Sequence, residues 1–253
     1  MATSTSNLHA LLLLSDSALP LGSFAFSSGL ESFLAHHKNQ HTSSAARLAA
    51  FDAFLEQSIA NMASTALPYA MTAYDHPDRL EDLDNDFDAS TPCTVARRAS
   101  VAQGRALLGI WEKALYPSLP PSSPPSPAVQ ALSSFAHSLK SQPPSSSTTL
   151  GLNQHFAPNF GAVCSALHLS PTETAYLFLL NHAKAVLSAA VRASVMGPYQ
   201  SQAVLASAKL QAWVNGSVER EKGRAVEDAA VTVPVMDLWM GRHELLYSRI
   251  FNS

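Results

Sequence analysis

Apolar residues in this chain recur at steps of three and four, the spacing that puts them on one face of a helix. Leu8 to Leu14 form a short apolar run that ends at Ser15, Asp16 and Ser17, side chains that compete with a helix by bonding their own backbone. A second helix is expected over residues 28 to 41. Thr42 to Ser44 then restart the chain, and Leu48, Phe51, Phe54, Leu55, Ile59 and Met62 mark an amphipathic helix running toward Pro68. The pattern returns from Val95 to Leu115, and Val129 to Leu139 predicts one further helix docked beside the others. No run of alternating strands accompanies these segments. The expected fold class is therefore all-α, a compact helical bundle.

The clearest helix start is Ser170, Pro171, Thr172, Glu173, with a capping Ser, Pro at the first helical position and a Glu able to reach back. This helix is expected to run to Met196, where Gly197 and Pro198 stop it. It is apolar on almost every side, as suits a helix enclosed by neighbours, and too interrupted by Asn181, His182, Lys184 and Arg192 to span a membrane. Asn181, Lys184, Ser188 and Arg192 fall on one narrow stripe that something polar must meet. Two readings stand side by side. Either Lys184 and Arg192 pair with buried carboxylates such as Glu31, or the stripe lines a wet channel or a subunit interface.

Two stretches interrupt the helical pattern. Six of the eleven residues from Pro117 to Pro127 are proline, and residues 141 to 149 read SQPPSSSTT; both are linker compositions. Residues 75 to 88 carry seven acidic side chains against Arg79 alone, which reads as a solvated acidic loop. One domain over residues 1 to 253 is expected, with linkers at 117–127 and 141–149 and a tail at 242–253.

Composition narrows the function. With 47% hydrophobic residues the chain can bury a substantial core, and with a net charge of −3 it lacks the basic field that a nucleic-acid partner requires. The two cysteines, Cys93 and Cys164, form no CxxC and no disulfide framework, which fits a reducing compartment. No Lys or Arg precedes the Leu8 run, so it reads as structure rather than a signal peptide, and the protein as cytoplasmic.

Candidate chemistry is sparse. His37 and His41 share a helix face next to His36, but no third ligand joins them, so a solvated helix end is the simpler reading and no metal site is assigned. His243 and Glu244 resemble the start of a zinc-protease motif, yet Tyr247 stands where its second His belongs. Phosphate loops, dinucleotide fingerprints and nucleophile elbows are absent. No catalytic residue or cofactor is assigned; the alternative is a small all-helical enzyme using Cys164 as nucleophile.

The loop after Asp16 is different. Pro20 pushes Leu19 toward extended backbone, Gly22 permits a turn closed to other residues, and Phe24 and Phe26 follow before Ser27 or Ser28 caps the helix carrying Glu31. Asp16, Ser17, Ala18, Leu19, Pro20, Leu21, Gly22, Phe24, Gly29, Leu30 and Glu31 resemble the N-terminal signature of the urease accessory protein F family, helical proteins that help load nickel into urease. Ser23 and Phe26 depart from it, standing where the family has a second Gly and a His. Ser100, Gln103, Gly104, Arg105, Leu107 and Leu108 resemble a middle segment of that family, as do Pro158, Phe160, Gly161, Ser188 to Arg192, Gly197, Pro198 and Gln202. The tail resembles its C-terminal signature through Asp237, His243, Glu244, Leu246, Tyr247, Ser248, Arg249, Phe251 and Ser253.

The resemblance implies a non-enzymatic adaptor that dimerises, binds the accessory protein called D or H, recruits the GTPase accessory protein G, and serves the urease apoprotein. It also implies that partner-binding residues lie among Asp16, Ser17, Pro20, Gly22, Phe24, Glu31, Lys184, Arg192, His243, Glu244, Tyr247, Arg249 and Phe251. On this reading the free tail is mobile and orders only on the D-type partner; the alternative is a tail that docks on its own bundle.

Overall fold

The computed structural model describes residues 5–16, 19, 22–37, 43–120, 124–141 and 151–252. Its regular elements are all helical: α1 (Thr5–Ser15), α2 (Leu30–His37), α3 (Ser44–Thr65), α4 (Leu67–Asp75), α5 (Leu80–Ser90), α6 (Thr94–Ile110) and α7 (Pro127–Ser141), then α8 (Phe156–Ala166), α9 (Pro171–Arg192), α10 (Pro198–Leu205), α11 (Ala208–Glu221) and α12 (Pro234–Arg242). No strand occurs among the described residues. The all-α expectation holds.

Local chemistry accounts for the boundaries. Ser43 caps α3 by accepting the Ala46 N–H, Ser207 caps α11 through the Leu210 N–H, and Ser170 with Glu173 closes the expected capping box of α9. The far end of α9 falls short of Met196. It stops at Arg192 because Ser194 turns left-handed (φ 59°), and the Val195 N–H reaches back to the Ala190 carbonyl while Ser194 N–H bonds Val191. His168 (φ 60°) ends α8 in the same way, with Leu169 N–H on the Cys164 carbonyl. α6 continues past Ile110 into a π turn, Trp111–Leu115, that buries Trp111.

The innermost helix is α8, packed against α4, α5, α6, α7 and α9, with nine of its eleven residues buried. Its Pro158 sits in the first turn, where the missing N–H has no intrahelical partner to lose. α9 crosses beside it and packs on α1, α3, α4, α10 and α11. It alone among the described helices is long and apolar enough to cross a bilayer by length and composition, and 56% of that window is buried within the bundle.

The expected acidic loop is a helix. Leu80, Leu83 and Phe87 recur along α5 at steps of three and four and are buried, while Glu81 and Asp82 lie in its first turn, where the helix dipole favours negative charge. Asp84, fully buried, points inward. One carboxylate oxygen accepts the N–H groups of Asn153 (2.6 Å) and Gln154 (3.1 Å), and the other that of His155 (2.5 Å). Asp84 thereby satisfies the backbone donors of the three residues that lead into α8. His155, itself fully buried, bonds Asp88 through Nε2 and Ser100 Oγ through Nδ1, both at 3.1 Å. Gly104 lets α6 press against this entrance, because a Cβ there would lie 1.8 Å from the Gln154 carbonyl oxygen. Gly109, further along α6, faces open space.

Of the two linkers, residues 116–118 form a 3-10 turn, residues 124–126 lead without regular structure into α7, and Ser141 is the last residue of that helix. The rest of the second linker, 142–149, lies outside the described residues.

Candidate functional site

The stretch from Gly22 to Glu31 and the tail meet on one side of the bundle. Gly22 adopts φ 70° and opens a 3-10 turn, Ser23–Ala25, and the Ser27 hydroxyl accepts the Glu31 N–H (3.3 Å) at the start of α2. Gly29 (φ 84°) allows α2 to touch α12, since a Cβ there would lie 3.0 Å from Met240 N and Trp239 Cβ.

Glu31, only 9% exposed, is the centre of the arrangement. Its Oε1 accepts the Ile250 N–H at 2.6 Å, and its Oε2 accepts the Phe251 N–H at 3.1 Å and His243 Nε2–H at 3.0 Å. A carboxylate only accepts, so His243 carries its proton on Nε2. The tail is further held by Asn252 N–H on the Ala25 carbonyl (2.8 Å) and by Arg98, which bonds Glu244 (2.5 Å) and the Asn252 carbonyl (3.2 Å). Arg249 reaches the other oxygen of Glu244 at 3.0 Å. Hydrogen bonding from Arg98, aided by Arg249, holds the Glu244 carboxyl below the usual carboxylate range.

Phe251 is 4% exposed, and the Arg192 guanidinium lies 4.4 Å from its ring centroid. Such a stacked cation contributes about 0.5 to 1 kcal/mol at an exposed site. Arg192 therefore meets an aromatic ring rather than a carboxylate. Lys184 also passes Glu31 by: its Nζ donates to the Ser15 carbonyl (2.5 Å), beside Asn181 Nδ2 on the Leu14 carbonyl (3.0 Å). The polar stripe of α9 thus caps the last carbonyls of α1, which have no partner within their own helix. Burial lowers the Lys184 pKa, and Asp16 pulls the other way. Of the two readings of the stripe, the one that pairs Lys184 and Arg192 with Glu31 is corrected, because backbone donors of the tail and His243 fill that carboxylate.

The expected free tail is corrected as well, since it is seated on its own bundle by its backbone, His243 and Phe251. Three of its other large apolar side chains face outward. Leu245 is 76% exposed, Ile250 64% and Tyr247 fully, with Phe24 at 62% on the loop next to Ala25. Single exposed apolar residues are ordinary, but here four lie on or beside one ordered segment. Tyr and Arg are also what interface cores favour. Ser17 and Pro20 lie outside the described residues.

Of the three histidines near the end of α2, two are described. His36 Nδ1–H donates to the Ser32 carbonyl (2.7 Å) while its Nε2 accepts from Arg242 Nε (2.9 Å), so both ring nitrogens are engaged. His37 Nδ1 bonds the Phe33 carbonyl (2.8 Å), and His41 lies outside the described residues. Among the described residues no three His, Cys, Asp or Glu side chains converge as metal ligands.

Cys164 is sealed in α8 at 0% exposure, where burial pushes its thiol well up and the Thr174 hydroxyl offsets this only in part. A thiol so held is no nucleophile, and the enzyme alternative built on it falls. Ser100, His155 and Asp88 form a chain of the kind hydrolases use, but Ser100 Oγ also accepts the Phe156 N–H (3.1 Å) and so caps a helix. Sequence reading had missed Arg98, Asp84 and His155. For Asp84 the signal was its place beside Leu83 on the apolar face of α5; for Arg98 there was none.

Comparisons with known proteins agree with this architecture. The profile of the UreF family matches residues 46–209. The chain is 36% identical over 253 residues to an uncharacterized urease accessory protein UreF-like from Schizosaccharomyces pombe, covering all of both chains. It is 31% identical over 247 residues to urease accessory protein F of Oryza sativa subsp. japonica, covering 93% of this chain and 81% of that one. It is 26% identical over 246 residues to urease accessory protein UreF of Actinobacillus pleuropneumoniae, covering 97% and 99%. With most of the helical core inside the matched region and relatives covered along nearly their whole length, the chain belongs to the UreF family of urease accessory proteins.

Proposed function

We propose that this protein is a non-enzymatic adaptor in assembly of the urease nickel centre, and that the tail with the Phe24 loop is its docking surface for the D- or H-type accessory protein. The observation that carries the reading is the two-sidedness of residues 243–251. Glu31 fixes their backbone, His243 and Phe251 point inward, and Leu245, Tyr247 and Ile250 are presented outward. A preorganised surface forfeits less conformational entropy on binding than a free segment does. Arg249 and Glu244, paired at the rim, supply polar complementarity. In this reading the protein dimerises in the cytoplasm, recruits the G-type GTPase once the D- or H-type partner is bound, and acts on the urease apoprotein through that assembly.

The experiment is co-purification of the D-type partner with a Tyr247→Ala, Ile250→Asp double variant. Both side chains are exposed, so melting should change little, while capture should weaken at least tenfold if they are central anchors. Normal capture by this variant would overturn the docking surface. Pull-down of the GTPase with and without bound nucleotide tests the recruitment step.

A further inference from the structure

A cavity of about 190 Å³ lies between α12 and the inner faces of α3, α6, α8 and α9, with Ser23, Phe26 and Ser28 of the loop that carries Phe24 on one wall. Phe26, Met62, Phe178, Met236 and Met240 make much of its wall, and the exposed Pro92, Ala230 and Val231 mark its rim. Into this apolar space Asp237 faces from the first turn of α12. Its carboxylate meets no hydrogen-bond donor and no cation among the described residues, and no Lys or Arg lines the cavity. Burial accordingly raises its pKa. The other titratable side chains in the lining are Tyr69, whose hydroxyl donates to Ser90 Oγ at 3.1 Å, and His182, bonded to Ser58 Oγ at 2.8 Å. Desolvation drops that imidazole to about 4, so it brings no positive charge at neutral pH.

A largely apolar pocket, open at one side, that holds one half-buried carboxylate without a counter-ion suits a cation that brings its own apolar body. A divalent metal is a weaker match, because closed metal sites use three or four ligands and no such cluster occurs among the described residues. Size sets the scale: an apolar cavity of roughly 150 Å³ holds benzene. The wall also offers aromatic faces, Phe26 and Phe178, that favour cations. We propose that the Asp237 cavity binds a free small organic monocation, a body of benzene size carrying a single ammonium or amidinium group.

The test uses the full chain with benzylammonium as probe, and toluene and benzoate as controls, followed by calorimetry. Benzylammonium should bind at least tenfold more tightly than toluene, and benzoate should not bind. Asp237→Asn should lose that tenfold advantage while leaving toluene unchanged, and Ala99→Leu, which fills the cavity from α6, should abolish both. If Asp237→Asn does not fold, the carboxyl carbon resonance of Asp237 in the unaltered protein serves instead, and it should move with benzylammonium and not with toluene. Equal affinity for toluene and benzylammonium, or no binding of either, would overturn the proposal. So would displacement of the D-type partner by benzylammonium, since the cavity would then hold a partner's side chain.

Discussion

Asp84 and Glu31 do similar work at opposite depths. Each is a buried carboxylate that gathers the backbone N–H groups of a segment arriving from far along the chain, and each stands next to a buried histidine. Asp84 takes Asn153, Gln154 and His155 at the entrance to the innermost helix. Glu31 takes Ile250, Phe251 and the ring of His243 at the surface. Around Asp84 everything turns inward, with His155 locked between Asp88 and Ser100 and Gly104 pressed on the Gln154 carbonyl. Around Glu31 only one side does, and the other presents Leu245, Tyr247 and Ile250 to solvent. One chemical device thus secures the fold in one place and holds out a surface in the other.

The comparison breaks most visibly at Asp84. Replacing it by Ala strands one buried and two partly buried N–H groups, each costing up to about 1 to 3 kcal/mol when unpaired, so denaturant unfolding should show a loss of about 3 to 4 kcal/mol. Gly104→Ala attacks the same entrance with the charge intact and should also be severe, because its Cβ has backbone 1.8 Å away. A loss below about 1 kcal/mol from both would mean the entrance is not a structural clamp.

Glu31→Ala should cost less, about 2 to 3 kcal/mol, because solvent can rescue part of the released tail. Its signature should be local. Timed trypsin digestion with mass spectrometry should show cleavage at Arg242 and Arg249 accelerated at least tenfold while the core stays intact. Uniform loss of stability without early tail cleavage would erase the distinction between the two clamps.

His182 sharpens the comparison in the mildest way, for its ring bonds Ser58 and no carboxylate. The unfolded imidazole titrates near 6.5, and the folded one near about 4. Between those values the unfolded chain binds the extra proton, so stability is full above about pH 6.5 and falls as pH drops toward 4. The loss should be on the order of 2 kcal/mol, and His182→Gln should flatten that part of a stability-against-pH curve. An unchanged slope in the variant would assign the acid sensitivity elsewhere.

Helices with strong periodicity or a Ser cap were legible in the sequence, α3 and α9 above all. Their ends were less so, because a reader waits for Gly, and Ser194 and His168 take the left-handed turn without one. α5 was misread by counting charges instead of following Leu80, Leu83 and Phe87. α8 drew notice only through its resemblance to a known family, since a helix buried on all sides shows no polar face to set its period. In the tail, composition announced a surface but not its direction. What decides that direction is Glu31, bonded to backbone 219 and 220 residues away, and such bonds leave no local pattern.

That separation also orders events during synthesis. Glu31 leaves the ribosome some two hundred residues ahead of the three groups that satisfy it, whereas Asp84 waits only about seventy for its own. Contacts so distant in sequence close late, after the loop between them has formed. The inner helices can therefore consolidate around Asp84 while Glu31 is still hydrated, and the outward face of the tail comes into being as the final step of maturation.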